Sequence, residues 1–223
     1  DLTFTPNGST EYSVSDCDPS ASGILDIPNT YNGKPVTSIG PYAFQGCSSL
    51  TSISISTNVA SIGDYAFYAC TSLSNITIPS SVTSMGAGAF YNCSGLTGIT
   101  IPNSVNSIGI SAFQGCSSLE NVSIPDSVSS IGSNAFSDCS AITTRVINTP
   151  LLGSTANGFM PAYFSAPRSK IEDVTIGDSV TSIGSNAFQS CSSLKTVSIP
   201  NSVTSIGGRA FYGCNSLETV SIP

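Results

Sequence analysis

Residues able to carry chemistry are few in this chain and are spread by repetition. There is no histidine, so the usual general base and metal ligand is missing, and the six basic residues are scattered. Glu120, Glu172 and Glu218 recur at one repeat position, and Asp126 and Asp178 at another, so these carboxylates arise by duplication and do not converge on one site. A pair of carboxylates acting on a glycosidic bond across adjacent segments is conceivable, but a solvated acidic face is the simpler reading. No glycine-rich phosphate cradle or calcium loop is present, and there is no C-x-x-C pair for zinc. The sequence predicts no catalytic residue, no metal and no cofactor, and no enzymatic activity is expected.

The cysteines are the most ordered of the reactive residues. Cys47, Cys70, Cys93, Cys116 and Cys139 lie 23 residues apart, as do Cys191 and Cys214. Phe44, Phe67, Phe90, Phe113, Phe136, Phe188 and Phe211 keep step with them, each three residues earlier. A fixed period of this length marks a solenoid, in which one supersecondary unit stacks on its copies. Seven cysteines then stand on one ladder, with parallel Cβ vectors. Their Cβ atoms stay near the ~5 Å ladder spacing, beyond the ~3.8 Å a disulfide prefers. They are expected to be reduced structural thiols that pack as small hydrophobes. Cys17 falls outside the ladder and has no assigned place.

One unit can be read from the stretch Ser107 to Pro125. Its apolar positions are Ile108, Ala112, Phe113, Cys116, Leu119, Val122 and Ile124. Val122-Ser123-Ile124 alternates as a short strand, and Pro125 ends it at a corner. Ile108-Gly109 marks a second corner, and the repeated glycines there are read as allowing a tight turn. The spacing of Ala112, Phe113 and Cys116 predicts about one turn of α- or 3₁₀-helix packed over the strand.

These repeats, of the form IPxSVxSIGxxAFxxCxSLxxVxIP, resemble the BspA-type (Treponema pallidum-type) leucine-rich repeats of surface proteins over roughly 23–223. The resemblance implies an α/β repeat fold: a right-handed solenoid with a parallel β-sheet on one face and short helical turns on the other. It also implies adhesion or protein–protein contact, and brings no catalytic residues with it.

Residues 1–22 do not fit the repeat. Leu2-Thr3-Phe4 and Tyr12-Ser13-Val14 alternate around Pro6-Asn7-Gly8, predicting a hairpin that caps the first coil. Tyr31-Asn32-Gly33-Lys34-Pro35 reads as a wider turn. Near the middle the pattern falters. Arg145 stands where valine is due and Val146 follows, implying a bulge or register shift. Cys139 and Cys191 are 52 residues apart, two periods plus six. An enlarged irregular coil is expected at about 148–170, holding Phe159, Met160, Tyr163 and Arg168.

Composition narrows the partners. Thirteen acidic residues against six basic give a net charge of −7, and only 9% of residues are charged. An acidic, serine- and threonine-rich surface disfavours nucleic acid and anionic membranes, and no apolar run is long enough for a membrane span. The chain starts at Asp1 without methionine and stops as a strand ends, so a longer natural protein is expected. Thr77, Thr100, Ser123, Thr175 and Ser198 form an outward row of hydroxyls. That row and the irregular coil's Phe159, Met160, Tyr163, Arg168 and Arg145 are the candidate binding residues. The expected role is a non-catalytic interaction or adhesion module of a secreted or cell-surface protein, with a protein or glycan ligand on a cell or matrix surface. The alternatives are a structural stalk or self-assembling spacer, and a carbohydrate-binding accessory domain, although the chain lacks Trp.

Overall fold

The computed structural model describes residues 2–142, 144–147 and 168–221, with the backbone alone for 144–147 and 168. The chain winds as a stack of parallel strands around one hydrophobic core. A nine-stranded sheet runs the length of the described chain. It starts with Ser22–Asp26 and Ser49–Ser54, continues through Asn75–Thr77, Gly98–Thr100, Asn121–Ile124 and Thr144–Ile147, and closes with Asp173–Ile176, Thr196–Ser198 and Thr219–Ser221. Alternation sets its two faces: Val122 and Ile124 are buried while Asn121 and Ser123 are exposed.

A second sheet lies where corners were expected. The two-residue strands Ser61–Ile62, Ser84–Met85, Ser107–Ile108 and Ser130–Ile131 pair in parallel, and Ser182–Ile183 pairs with Ser205–Ile206 in a separate two-stranded sheet. Each is too short to show alternation in the sequence. The glycine that follows is not in a left-handed conformation. A Cβ on Gly63 would lie 2.7 Å from the Pro41 nitrogen and 2.8 Å from the Gly40 carbon. Glycine is needed there because successive coils approach backbone to backbone.

The expected helical turns are not formed. In each regular coil two residues have positive φ, for example Ser111 at 54° and Gly115 at 77°, which breaks any helical run. The main-chain N–H groups alternate instead. Those of Tyr65, Phe67 and Ala69 donate to Ala87, Ala89 and Tyr91 of the next coil, while those of Ala66, Tyr68 and Cys70 donate three residues back within their own coil. The segment is a run of tight turns that also forms a third ladder between coils. This satisfies the backbone of a buried stretch without a helix.

The phenylalanine column is continuous where described. Ring centroids are 4.9 Å apart for Phe44–Phe67, 5.0 Å for Phe67–Phe90 and 5.2 Å for Phe90–Phe113, with planes within 16° of parallel. That repeat matches the spacing of hydrogen-bonded strands.

At the amino end, β1 (Leu2–Asn7) and β2 (Glu11–Cys17) form the antiparallel hairpin, and β2 runs parallel to β5 (Lys34–Ile39). Between them in sequence lie β3 (Ser22–Asp26) and β4 (Thr30–Tyr31). The turn at Asn32-Gly33 is tighter than expected: β4 pairs antiparallel with the start of β5, and both turn residues have positive φ, at 51° and 75°. Two such residues make the twist that suits a two-residue hairpin. Phe4 and Tyr12 pack on Tyr31 across it, with ring centroids at 4.3 and 5.0 Å.

The strand Thr144–Ile147 corrects a further expectation. Its register is unbroken on both sides, with Arg145 opposite Val122 and Val174, and Val146 opposite Ser123 and Thr175. There is neither bulge nor shift, because the parallel ladder holds the strand in step despite the change of residue.

Candidate binding face

The row of hydroxyls predicted from the repeat is a straight line on the solvent side of the long sheet. Ser54 is in register with Thr77, Thr77 with Thr100, and Thr100 with Ser123. Beyond Val146, Thr175 is in register with Ser198 and Ser198 with Ser221. The structure thus brings Thr77, Thr100, Ser123, Thr175 and Ser198 onto one line, all exposed. Of the other candidates, Phe159, Met160 and Tyr163 lie outside the described residues. Arg145 is placed by its strand, and Arg168 opens the short 3₁₀ turn Arg168–Lys170.

Serine and threonine serve two separate purposes here. At the corners their hydroxyls bond the preceding coil: Ser81 donates to the Val59 carbonyl at 2.6 Å, Ser104 to Val82 at 2.6 Å, and Ser127 to Val105 at 2.9 Å. Thr97 likewise donates to Ser74 at 3.2 Å. The hydroxyls of Thr77, Thr100, Ser123, Thr175 and Ser198 bond no other described residue. Their hydrogen-bonding capacity faces solvent.

Part of this face is recessed. Gly98 lies in register with Asn121, one residue outside Ile99, and a Cβ there would meet nothing within 4 Å. With no side chain at that point, Asn75, Thr77, Thr100 and Asn121 rim a shallow depression of about 680 Å³. A second depression of about 400 Å³ continues towards Ser52, Ser54 and Thr57. The lining combines these amides and hydroxyls with backbone and with the side chains of Ile76, Ile78 and Ile99, and holds no titratable side chain. Such a surface can orient a polar ligand through neutral hydrogen bonds but cannot move a proton. The sequence reading missed Asn75, Gly98 and Asn121. The available signal was glycine at a strand position where the other copies carry Ser, Asn, Asp or Thr.

The thiols line the interior, remote from this face. Cys70 Sγ donates to the Phe44 carbonyl at 3.0 Å, Cys93 to Phe67 at 3.0 Å, Cys116 to Phe90 at 3.2 Å and Cys139 to Phe113 at 3.1 Å. Cys17, which had no assigned place, heads this column. It is buried, and Cys47 Sγ lies 3.8 Å from its carbonyl oxygen. Burial pushes the Cys17 thiol up to about 12 and holds Cys116 well above the usual thiol range. Thiols so disposed are neither nucleophiles nor ligands at neutral pH. No disulfide joins the cysteines of the described residues, and no group of three or more metal-ligating side chains is found among them.

No described helix is long and apolar enough to cross a membrane. One ion pair is formed among the described residues, Lys195 with Glu172 at 2.8 Å, with both side chains nearly half exposed.

Comparison with known proteins agrees with this architecture. No curated protein sequence matches the chain. Among solved structures, a leucine-rich repeat protein of T. pallidum (TpLRR) is 27% identical, with a TM-score of 0.65, covering 97% of this chain and 87% of that one. A leucine-rich repeat protein from Bacteroides ovatus ATCC 8483 is 28% identical, with a TM-score of 0.56, covering 98% and 69%. The BspA type leucine rich repeat region matches residues 29–156 and 161–223 in six copies, and the chain therefore belongs to the BspA-type leucine-rich repeat family.

Proposed function

We propose that the chain is a non-catalytic interaction module of a secreted or cell-surface protein, and that it binds through the outer face of the long sheet. The observation that carries this reading is the division of labour among hydroxyls. Corner serines and threonines are consumed by the fold, whereas the row through Thr77, Thr100 and Ser123 is left unbonded beside a recess. The ligand is proposed to be a protein surface or loop presenting polar groups to Asn75, Thr77, Thr100 and Asn121. Residues 1–22 act as the cap of the stack and 23–223 as the binding solenoid. The irregular coil at about 148–170, with Phe159, Met160, Tyr163 and Arg168 in its sequence, is the proposed second determinant of specificity, since irregular repeats in solenoids often supply the binding loops.

One observation favours a glycan as the alternative ligand: the recess sets neutral amides and hydroxyls, the groups that pair with sugar hydroxyls, beside apolar carbon of Ile76, Ile78 and Ile99. Binding of the purified chain to a panel of immobilised extracellular-matrix proteins and to a glycan array separates the two. Saturable binding to a matrix protein that Thr77→Lys with Thr100→Lys abolishes supports the protein reading. Array binding abolished by the same pair, with no protein response, supports the glycan. No response from either panel counts against the sheet face as a binding site.

A further inference from the structure

The turn segments carry a second surface, separate from the sheet face. In each described coil the residue two after the repeated glycine has positive φ: 58° at Tyr42, 53° at Tyr65, 58° at Gly88, 54° at Ser111, 60° at Asn134, 59° at Asn186 and 58° at Arg209. Glycine and asparagine are suited to this backbone, and a bulky side chain is an outlier there. Tyr42 and Tyr65 occupy it in consecutive coils. Their rings stack at 5.3 Å, with Tyr65 lying over Gly88, where a Cβ would collide with the ring. Tyr68 and Tyr91 complete the group, with centroids 6.1 and 6.3 Å from Tyr65 and 5.7 Å from each other. Half of the chain's eight tyrosines are therefore gathered in one cluster, with Tyr42 49% exposed and the others half-buried.

Two observations specify what this cluster accepts. The first is charge. From residue 35 to 144 there is no lysine or arginine, while Asp64, Glu120, Asp126 and Asp138 are present. Asp64 is exposed beside Tyr65; its Oδ1 accepts the Ala87 N–H at 2.8 Å, and its other oxygen is unbonded. The second is an arrangement within the chain itself. Arg209 stands at the repeat position of Tyr65, and Tyr212 at that of Tyr68. There the guanidinium lies over the ring, 5.9 Å from its centroid. This backbone therefore accommodates an arginine against a tyrosine at these two positions.

We propose that Tyr42, Tyr65, Tyr68 and Tyr91, with Asp64, form a docking surface for an arginine-bearing segment of a partner protein. The guanidinium packs on the tyrosine rings and pairs with the free oxygen of Asp64. Arginine is preferred to lysine because its planar, weakly hydrated head stacks on aromatic faces.

The probes are synthetic peptides of alternating Arg-Gly, Lys-Gly and Glu-Gly, titrated calorimetrically into the whole chain. Binding is expected for Arg-Gly, weaker for Lys-Gly and absent for Glu-Gly. Tyr42→Asn with Tyr65→Asn is expected to lower Arg-Gly affinity at least tenfold while leaving Tm unchanged or higher, because asparagine tolerates the backbone that tyrosine strains. Tyr68→Gln, the residue found at the same repeat position in Gln45 and Gln114, gives a reading that does not touch the strained positions, with a several-fold loss expected. A fall in Tm for the double variant shows the tyrosines to be structural and overturns the proposal. So does unchanged affinity in the double variant or in Tyr68→Gln. Equal binding of Arg-Gly and Lys-Gly reduces the effect to general acidity, and a glycan-array signal that depends on Tyr42 assigns the surface to sugar; either result also overturns it.

Discussion

Cys116 Sγ donates a hydrogen bond to the main-chain oxygen of Phe90, 26 residues earlier, at 3.2 Å. The same contact joins Cys93 to Phe67 and Cys139 to Phe113, so the cysteine column links each coil to the one before it. A thiol is small enough for the crowded interior and still supplies a donor. Cys116→Ala removes that donor and leaves a void, and should cost about 1–3 kcal/mol. Cys116→Ser keeps a donor near the same carbonyl and should cost less than alanine. Urea unfolding of both variants checks the order; a serine variant weaker than the alanine one would show that the contact contributes nothing.

The same thiols set a pH limit. Burial raises Cys17 to about 12, and Cys116 well above the usual thiol range. A thiol whose folded pKa is raised stays protonated in the folded chain while the unfolded chain loses its proton. Its contribution is therefore whole below about pH 8.5 and declines as pH rises towards the folded pKa. Each such thiol adds a slope of about 1.4 kcal/mol per pH unit in that window. Chemical denaturation at pH 8, 9 and 10 should show stability falling steeply above pH 9, and Cys116→Ala should make the fall shallower. A flat profile to pH 10 would contradict the buried placement.

Two glycines should respond oppositely to alanine. At Gly63 the added carbon would lie 2.7 Å from the Pro41 nitrogen, against backbone that cannot move aside. Gly63→Ala should cost about 1–3 kcal/mol or more, as overpacking does. At Gly98 the carbon meets nothing within 4 Å. Gly98→Ala should change stability by no more than about 0.5 kcal/mol, as for an ordinary surface change. Thermal melts of the two variants decide this, and similar losses at both sites would refute the close-approach argument.

Ser56 holds a position that is proline in other coils, as at Pro79, Pro102 and Pro125. Its hydroxyl is buried without a partner, while its carbonyl accepts the Val59 N–H at 3.1 Å, as Pro79 accepts that of Val82 at 3.1 Å. Ser56→Pro should raise stability by about 1 kcal/mol, by removing the stranded hydroxyl and restricting the unfolded chain. A lower Tm would show that the backbone at Ser56 departs from its counterparts.

Much of this architecture is legible in the sequence because it is written repeatedly. The columns of Phe113 and Cys116, the strand at Val122–Ile124 and the amino-terminal hairpin all follow from periodicity. Other features share their signals with alternatives. The spacing of Ala112, Phe113 and Cys116 suits a helical turn as well as a run of tight turns, and only the backbone angles at Ser111 and Gly115 separate them. Asn134 and Asp138 are of types that tolerate a left-handed backbone, but Tyr42 and Tyr65 occupy such positions although their residue type does not announce it. Ser107–Ile108 is too short a strand to alternate. The recess at Gly98 is visible only once Asn75 and Asn121 are known to lie beside it on the sheet. Arg145 misled because register is fixed by hydrogen bonds along the ladder, which one side chain does not break.

The most direct test of the account is the affinity of the Thr77→Lys, Thr100→Lys chain for the matrix protein that the wild-type chain binds most tightly in the panel, measured by surface plasmon resonance alongside Tm. Both residues are exposed, and neither hydroxyl is used by the fold. Binding through the sheet face predicts at least a tenfold loss of affinity, with Tm within a few degrees of wild type. Undiminished affinity in a fully folded variant would contradict it and move the binding function off the sheet face.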